Sequence, residues 1–200
     1  MEALLVSAAV VAISEIGDKT QLLALLLATR FNRPLPIIAG ILVATVFNHA
    51  LAAWAGALIA AWVGPDVMRW VLGLSFIAMA AWMLVPDKMD EDDQPKSMAG
   101  AGAFLTTVVA FFLLEMGDKT QVATVALSAR FQSVAWVTAG TTLGMMVADV
   151  PAVFLGKMAL TKIPLKVVHT VSAVLFLLLG IAVLANLGIS LEAAVLSARP

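Results

Sequence analysis

Six apolar runs divide the chain, at residues 3–29, 35–63, 67–86, 101–129, 133–156 and 165–186. The breaks between them carry turn or charge signals: Arg30 to Pro36, Gly64-Pro65-Asp66, Asp87 to Lys96, Arg130-Phe131-Gln132, and Lys157 to Pro164. A helix needs about 20 apolar residues to cross a bilayer, and each run supplies them. A transmembrane barrel would instead alternate apolar and polar residues over strands of about ten. The runs are unbroken and rich in Ala and Leu, so the pattern predicts an all-α integral membrane protein with six transmembrane helices.

The runs repeat at an offset of 100 residues. Glu15-Ile16-Gly17-Asp18-Lys19-Thr20-Gln21 matches Glu115-Met116-Gly117-Asp118-Lys119-Thr120-Gln121, Arg30-Phe31 matches Arg130-Phe131, and Gly40 and Gly56 match Gly140 and Gly156. The expected organisation is a first three-helix repeat at 1–86, an acidic linker at 87–99, and a second three-helix repeat at 100–200 that ends in a short tail. Three spans per half is an odd number, so the second half enters from the opposite side. That is an inverted-topology repeat, an arrangement of secondary transporters whose site lies near midplane between the repeats. Lys and Arg set the orientation. Arg30, Arg33, Lys88, Lys96, Lys157, Lys162 and Lys166 fall on one side, and Arg69, Arg130 and Arg199 on the other, seven against three. The richer side is cytoplasmic, which puts the linker inside and both termini outside.

Composition agrees. Of 200 residues 62% are hydrophobic and 12% charged, far from the roughly 45–50% and 25% of soluble domains. A soluble enzyme or a disordered chain is excluded. Nucleic acid is no partner, since 12 Lys+Arg against 13 Asp+Glu leave no basic excess. With no cysteine there are no disulfides and no thiolate metal sites. Met1-Glu2-Ala3 has an acid where a signal peptide carries positive charge, so the first run reads as a span of the mature protein.

The chemistry sits inside the apolar runs. Eleven mostly apolar residues (3–13) precede the first motif and an apolar run of seven (22–28) follows it, and the second motif is placed similarly. A charge at bilayer centre costs roughly 2.5–3.5 kcal/mol on insertion scales. Each motif carries three, which requires that they face one another, a cavity or an ion. On a continuous helix Glu15, Asp18 and Gln21 step by three and share one broad face, as do Glu115, Asp118 and Gln121. If the two helices meet at the pseudo-two-fold axis, four carboxylates and two amide oxygens surround one point. Such a cage suits Ca²⁺, Mn²⁺ or Mg²⁺. Gly17 and Gly117 permit either close packing or a locally unwound helix whose carbonyls also coordinate.

Four carboxylates and the two lysines sum to −2, which one divalent cation or two protons would neutralise. Crowded buried carboxylates resist ionisation through both desolvation and like charge, so they can trade a cation for protons. The competing structural reading pairs Lys19 with Glu15 and Lys119 with Glu115 within each helix, at i,i+4. On either reading Lys19 and Lys119 are counter-ions rather than ligands.

The doubled Glu-x-Gly-Asp-Lys-Thr, on the first helix of each half, resembles the Gdt family of Mn²⁺/Ca²⁺:H⁺ exchangers, which includes bacterial manganese exporters. The resemblance covers essentially the whole chain. It implies Mn²⁺ and Ca²⁺ as substrates, exchange against protons, Glu15, Asp18, Glu115 and Asp118 as the binding site, and a cytosolic central loop. Without an extra leading helix or transit segment, a multi-pass protein of the bacterial inner membrane fits best.

Other polar residues are secondary candidates. Asn48-His49 corresponds to Ala148-Asp149, so the halves differ there. Asp149 is expected to carry protons or act as an auxiliary ligand. His49 either relays protons or bonds across helices. Asn48 reads as packing glue that can also donate an oxygen, and Pro151 is expected to bend the fifth span. Thr20 and Thr120 are expected to bond backbone within their helices. Gly140 and Gly144 form a close-packing GxxxG pair. Met145 and Met146 read as apolar filler. The linker lacks the spacing of an EF-hand and reads as a solvated segment.

Divalent cations, protons and the lipid bilayer are thus the expected partners, with no resident cofactor and the oligomeric state open. Competing readings are an exporter of another cation or of a basic amino acid on the same plan, and a passive cation channel. Neither His-Glu-x-x-His nor Gly-x-Ser-x-Gly occurs, which argues against an enzyme.

Overall fold

A computed structural model describes residues 1–85, 102–155 and 165–186; the linker expected at 87–99 and the tail after Asn186 lie outside the described residues. Within them the chain forms eight α-helices and no strand. These are α1 (Glu2–Glu15), α2 (Lys19–Phe31), α3 (Pro34–Trp62), α4 (Pro65–Met83), α5 (Ala103–Glu115), α6 (Lys119–Phe131), α7 (Val134–Leu155) and α8 (Leu165–Leu184). Four are long and apolar enough to cross a membrane: Pro34–Trp62, Asp66–Met83, Val134–Phe154 and Lys166–Leu184. Ala103–Glu115 is apolar but shorter.

The first and fourth apolar runs are not continuous helices. Each is two half-helices, of 14 and 13 residues in the first and 13 and 13 in the second. The break is a tight turn over the first four motif residues. Ile16 has φ −65° and ψ 114°, Gly17 has φ +86°, and the Asp18 N–H donates to the Glu15 carbonyl at 3.1 Å. The second motif repeats this, with Met116 at φ −65° and ψ 118°, Gly117 at φ +79°, and Asp118 N–H to Glu115 O at 3.1 Å. These are the marks of a type II turn, which needs a positive φ at its third residue and hence glycine there. Of the two expectations for these glycines, the unwound helix is the one realised.

The long helices cross over between halves. α3 lies against α5 and α6, and α7 lies against α1 and α2. Small residues let the backbones meet. A Cβ on Gly144 would stand 2.6 Å from the Ala8 carbonyl oxygen, and one on Gly40 would stand 2.7 Å from Thr107 Cβ. The Gly140/Gly144 pair therefore does pack closely, against α1. α4 and α8 pack on each other, with Phe76 and Phe176 at 6.2 Å between ring centroids. Those two residues are again 100 apart. Pro151 is held within α7, where it removes one helical N–H.

Large apolar side chains point outward from the long helices. Phe47, Leu74, Phe154 and Leu178 are 63, 56, 61 and 59% exposed. Among the apolar side chains of the interior lie buried polar and charged residues, including Glu15, Glu115, His49 and Asp149. An apolar exterior around a polar centre suits lipid as solvent and marks a multi-pass membrane protein.

Candidate cation site

Both turns bring an acid to each side of a helix break. Glu15 is the last residue of α1 and Asp18 the N-cap of α2; Glu115 and Asp118 hold the same places on α5 and α6. The N-terminal ends of α2 and α6 favour negative charge beside them, whereas the ends of α1 and α5 expose carbonyl oxygens that favour cations. The turn also explains the glutamines. The Asp18 N–H is used by the turn, so the Gln21 side chain reaches one residue further back, and its Oε1 accepts from the Gly17 N–H at 3.0 Å. Gln121 Oε1 does the same for Gly117 N–H at 2.7 Å. Each glutamine also donates to the other half. Gln21 Nε2 donates to the Ala148 carbonyl at 2.9 Å, and Gln121 Nε2 donates to Asn48 Oδ1. Asn48 Nδ2 in turn donates to the Phe112 carbonyl at 3.4 Å. Gln21 and Gln121, expected to face the cage, thus clamp each turn to the opposing long helix, and Asn48 is part of that clamp.

Three of the four motif acids converge. Carboxylate oxygens of Glu15, Glu115 and Asp118 lie within 4.8 Å of one another, and all three residues are buried. Like charges this close repel strongly in a medium of low dielectric constant unless a cation or protons intervene. Thr20 and Thr120 do not bond backbone through their hydroxyls as expected. Thr20 Oγ1 donates to Glu15 Oε2 at 2.7 Å, and Thr120 Oγ1 lies 3.2 Å from both Glu115 Oε2 and Asp118 Oδ2. Each glutamate therefore has one oxygen held, while its Oε1 is buried with no hydrogen-bond partner among the described residues. Buried polar atoms are rarely left so. Their presence on both glutamates, beside a third acid, fits a site built to receive a cation. Asp18 is also buried and interacts electrostatically with Glu15 and Lys19, but it stands outside this group of three.

The lysines depart from the within-helix pairing. The break removes the i,i+4 geometry between Glu15 and Lys19, and the Lys19 ammonium lies 3.4 Å from Asp118 Oδ1 of the other half. Lys119 Nζ donates to the Val85 carbonyl at 2.8 Å. The repeat-related pair His49 and Asp149 flanks the cluster. His49 Nε2 is 3.8 Å from Glu115 Oε2, and Asp149 interacts electrostatically with Glu15 and Glu115. Both are fully buried, and neither carboxylate oxygen of Asp149 has a hydrogen-bond partner among the described residues. A cavity of about 330 Å³ lined by Asp66, Arg69 and Arg130 contains none of the motif residues.

The chain as a whole has counterparts among known proteins. The sequence model for the divalent cation/proton antiporter GDT1 matches residues 3–91 and 103–188. The chain belongs to this family. Its members are transporters, not enzymes. A Vibrio cholerae protein named "Putative manganese exporter" is 50% identical over 183 residues, covering 91% of this chain and 90% of its own. GDT1-like protein 3 of Oryza sativa is 29% identical, over 88% of this chain and 71% of its own. GDT1-like protein sll0615 of Synechocystis is 26% identical, over 86% and 91%. No solved structure matches the chain significantly.

Proposed function

We propose that this chain exports divalent cations, Mn²⁺ or Ca²⁺ or both, from the cytoplasm in exchange for protons, through a site formed by Glu15, Asp18, Glu115 and Asp118. The observation that carries the reading is the convergence of the Glu15, Glu115 and Asp118 carboxylates within 4.8 Å, with one unpartnered buried oxygen on each glutamate. Oxygen donors of this hardness favour Mn²⁺ and Ca²⁺ over softer metals. The name of the Vibrio relative supports manganese. Family membership supports coupling to protons. Gln21 and Gln121 hold the turns and keep a second lone pair on Oε1 that a cation can use.

In this reading the six apolar runs cross the bacterial inner membrane as two inverted halves, 1–86 and 100–200, joined by a cytoplasmic linker, with both termini outside. The broken first and fourth runs support it, since discontinuous helices meeting near midplane are how such transporters build ion sites. Asp149 carries protons beside the acids, and His49 tunes Glu115 across the interface.

Purified protein in liposomes tests the function. An imposed Mn²⁺ gradient should drive proton movement in the opposite direction, read by a pH-sensitive dye. Mn²⁺ flux without proton flux would point to a passive channel. Cysteines placed at Arg33 and Gly64, in this cysteine-free chain, should label from opposite sides of the membrane; labelling from the same side refutes the topology.

A further inference from the structure

The two motif lysines are equivalent in sequence but not in setting. Lys119 is buried, at 3% exposure, and its ammonium donates to the Val85 carbonyl at 2.8 Å. The Lys19 side chain is 19% exposed, and its ammonium lies 3.4 Å from Asp118 Oδ1. Asp118 is one of the three converging acids, and its other oxygen, Oδ2, lies 3.2 Å from the Thr120 hydroxyl. Lys19 also interacts electrostatically with Asp18 and Glu115. A positive charge on a flexible four-carbon stem, partly exposed, thus reaches the acid cluster from the opposite half.

We propose that Lys19 is a tethered monovalent cation that neutralises Asp118 between transport cycles, yields to an incoming divalent ion, and so sets the preference for divalent over monovalent cations. The inference rests on the cation site proposed above. Its logic is charge balance. With all three acids ionised, the cluster and Lys19 sum to −2. Replacing the ammonium by Mn²⁺ or Ca²⁺ brings the cluster to −1. Replacing it by Na⁺ or K⁺ leaves −2, so the monovalent ion loses its hydration and gains nothing over the lysine it displaces. A compact ammonium on a mobile stem suits this role, being a point charge that can be withdrawn. Lys119, held by the Val85 carbonyl just past α4, does not have that freedom.

The experiment is Mn²⁺ uptake into liposomes by wild type, Lys19→Gln and Lys19→Arg, with NaCl replacing choline chloride at constant ionic strength. Lys19→Gln leaves a site with no resident cation, so Na⁺ should inhibit it at concentrations lower by about tenfold or more, the order expected for loss of one nearby charge. Lys19→Arg keeps the charge and should restore sodium tolerance. A purely structural lysine would change the amount of folded protein but not the sodium dependence per folded molecule. Lys19→Gln with wild-type sodium tolerance overturns the proposal. Wild type is a second test that requires no variant: its Mn²⁺ affinity by calorimetry should shift less than about twofold on the same exchange of salts, where one bare charge would produce far more. A larger shift also overturns it. Unchanged Mn²⁺ uptake by a Glu15→Gln/Glu115→Gln variant would instead refute the underlying site assignment, so the two failures are distinguishable.

Discussion

Substituting Gly117 isolates the turn from everything else in the site. Its φ is +79°, and a Cβ built on it meets no heavy atom within 4 Å. Gly117→Ala therefore introduces no clash, and its cost is the backbone term alone. Left-handed backbone costs an L-residue roughly 1–2 kcal/mol. The smaller entropy of an unfolded chain with Ala returns about 0.4–1 kcal/mol. The net destabilisation should be about 1 kcal/mol. Gly117→Asn should cost less, because Asn tolerates positive φ. The functional loss should exceed the stability loss. The turn holds Glu115 and Asp118 at the ends of two helices, and strain relieved by opening it would displace one acid from the cluster. The assay is thermal unfolding in detergent paired with Mn²⁺ binding for wild type, Gly117→Ala and Gly117→Asn. A ranking of wild type, then Asn, then Ala is expected in both. Equal stability and binding in all three would show that the positive φ does not shape the site.

Gly144→Ala tests the packing between halves. Its Cβ would stand 2.6 Å from the Ala8 carbonyl oxygen and 2.8 Å from the Ala12 nitrogen, both backbone atoms, so α1 and α7 must separate. Overpacking of this kind costs about 1–3 kcal/mol and should lower the unfolding midpoint more than Gly117→Ala does. Asp149→Asn retains size while removing the titrating group beside Glu15 and Glu115. Mn²⁺ binding should persist and Mn²⁺-driven proton movement should fall at least tenfold; unchanged proton movement would remove Asp149 from the coupling scheme.

Much of this arrangement was legible in the chain. The 100-residue offset is visible in the sequence, and charge buried in apolar runs pointed to Glu15, Asp18, Glu115 and Asp118 as groups that need partners; three of them, Glu15, Glu115 and Asp118, lie together, while Asp18 stands outside that group. The helix break was harder to see, because apolar residues run to within two positions of Glu15 and resume just after Gln21, so periodicity carries straight through. The signal lay in the motif itself. Gly one residue before an N-cap Asp, with Gln three residues after that Asp, spells a type II turn feeding a helix start. Reading the run as one helix put Lys19 one turn above Glu15. The turn redirects it to Asp118 of the other half, a contact no local spacing encodes. Gln21 and Gln121 suit a cage by type; that both ends of each amide also lock the turn against α7 and α3 depends on the helix break. The asymmetry between His49 and Asp149 was visible in the repeat, but their placement beside Glu115 and Glu15 depends on the crossing of the halves.

The central claim is that one shared set of carboxylates binds either a divalent cation or protons. The double variant Glu15→Gln/Glu115→Gln tests it most directly, since it keeps size and removes both charges and both titrating groups. In liposomes carrying folded, inserted protein, Mn²⁺ uptake and Mn²⁺-driven proton movement should collapse together. In wild type, acidifying the metal-loaded side should weaken uptake, because protons compete for the same oxygens. A double variant that exchanges Mn²⁺ for protons at the wild-type rate, with the same dependence on pH, would show that these acids are structural and that the site lies elsewhere.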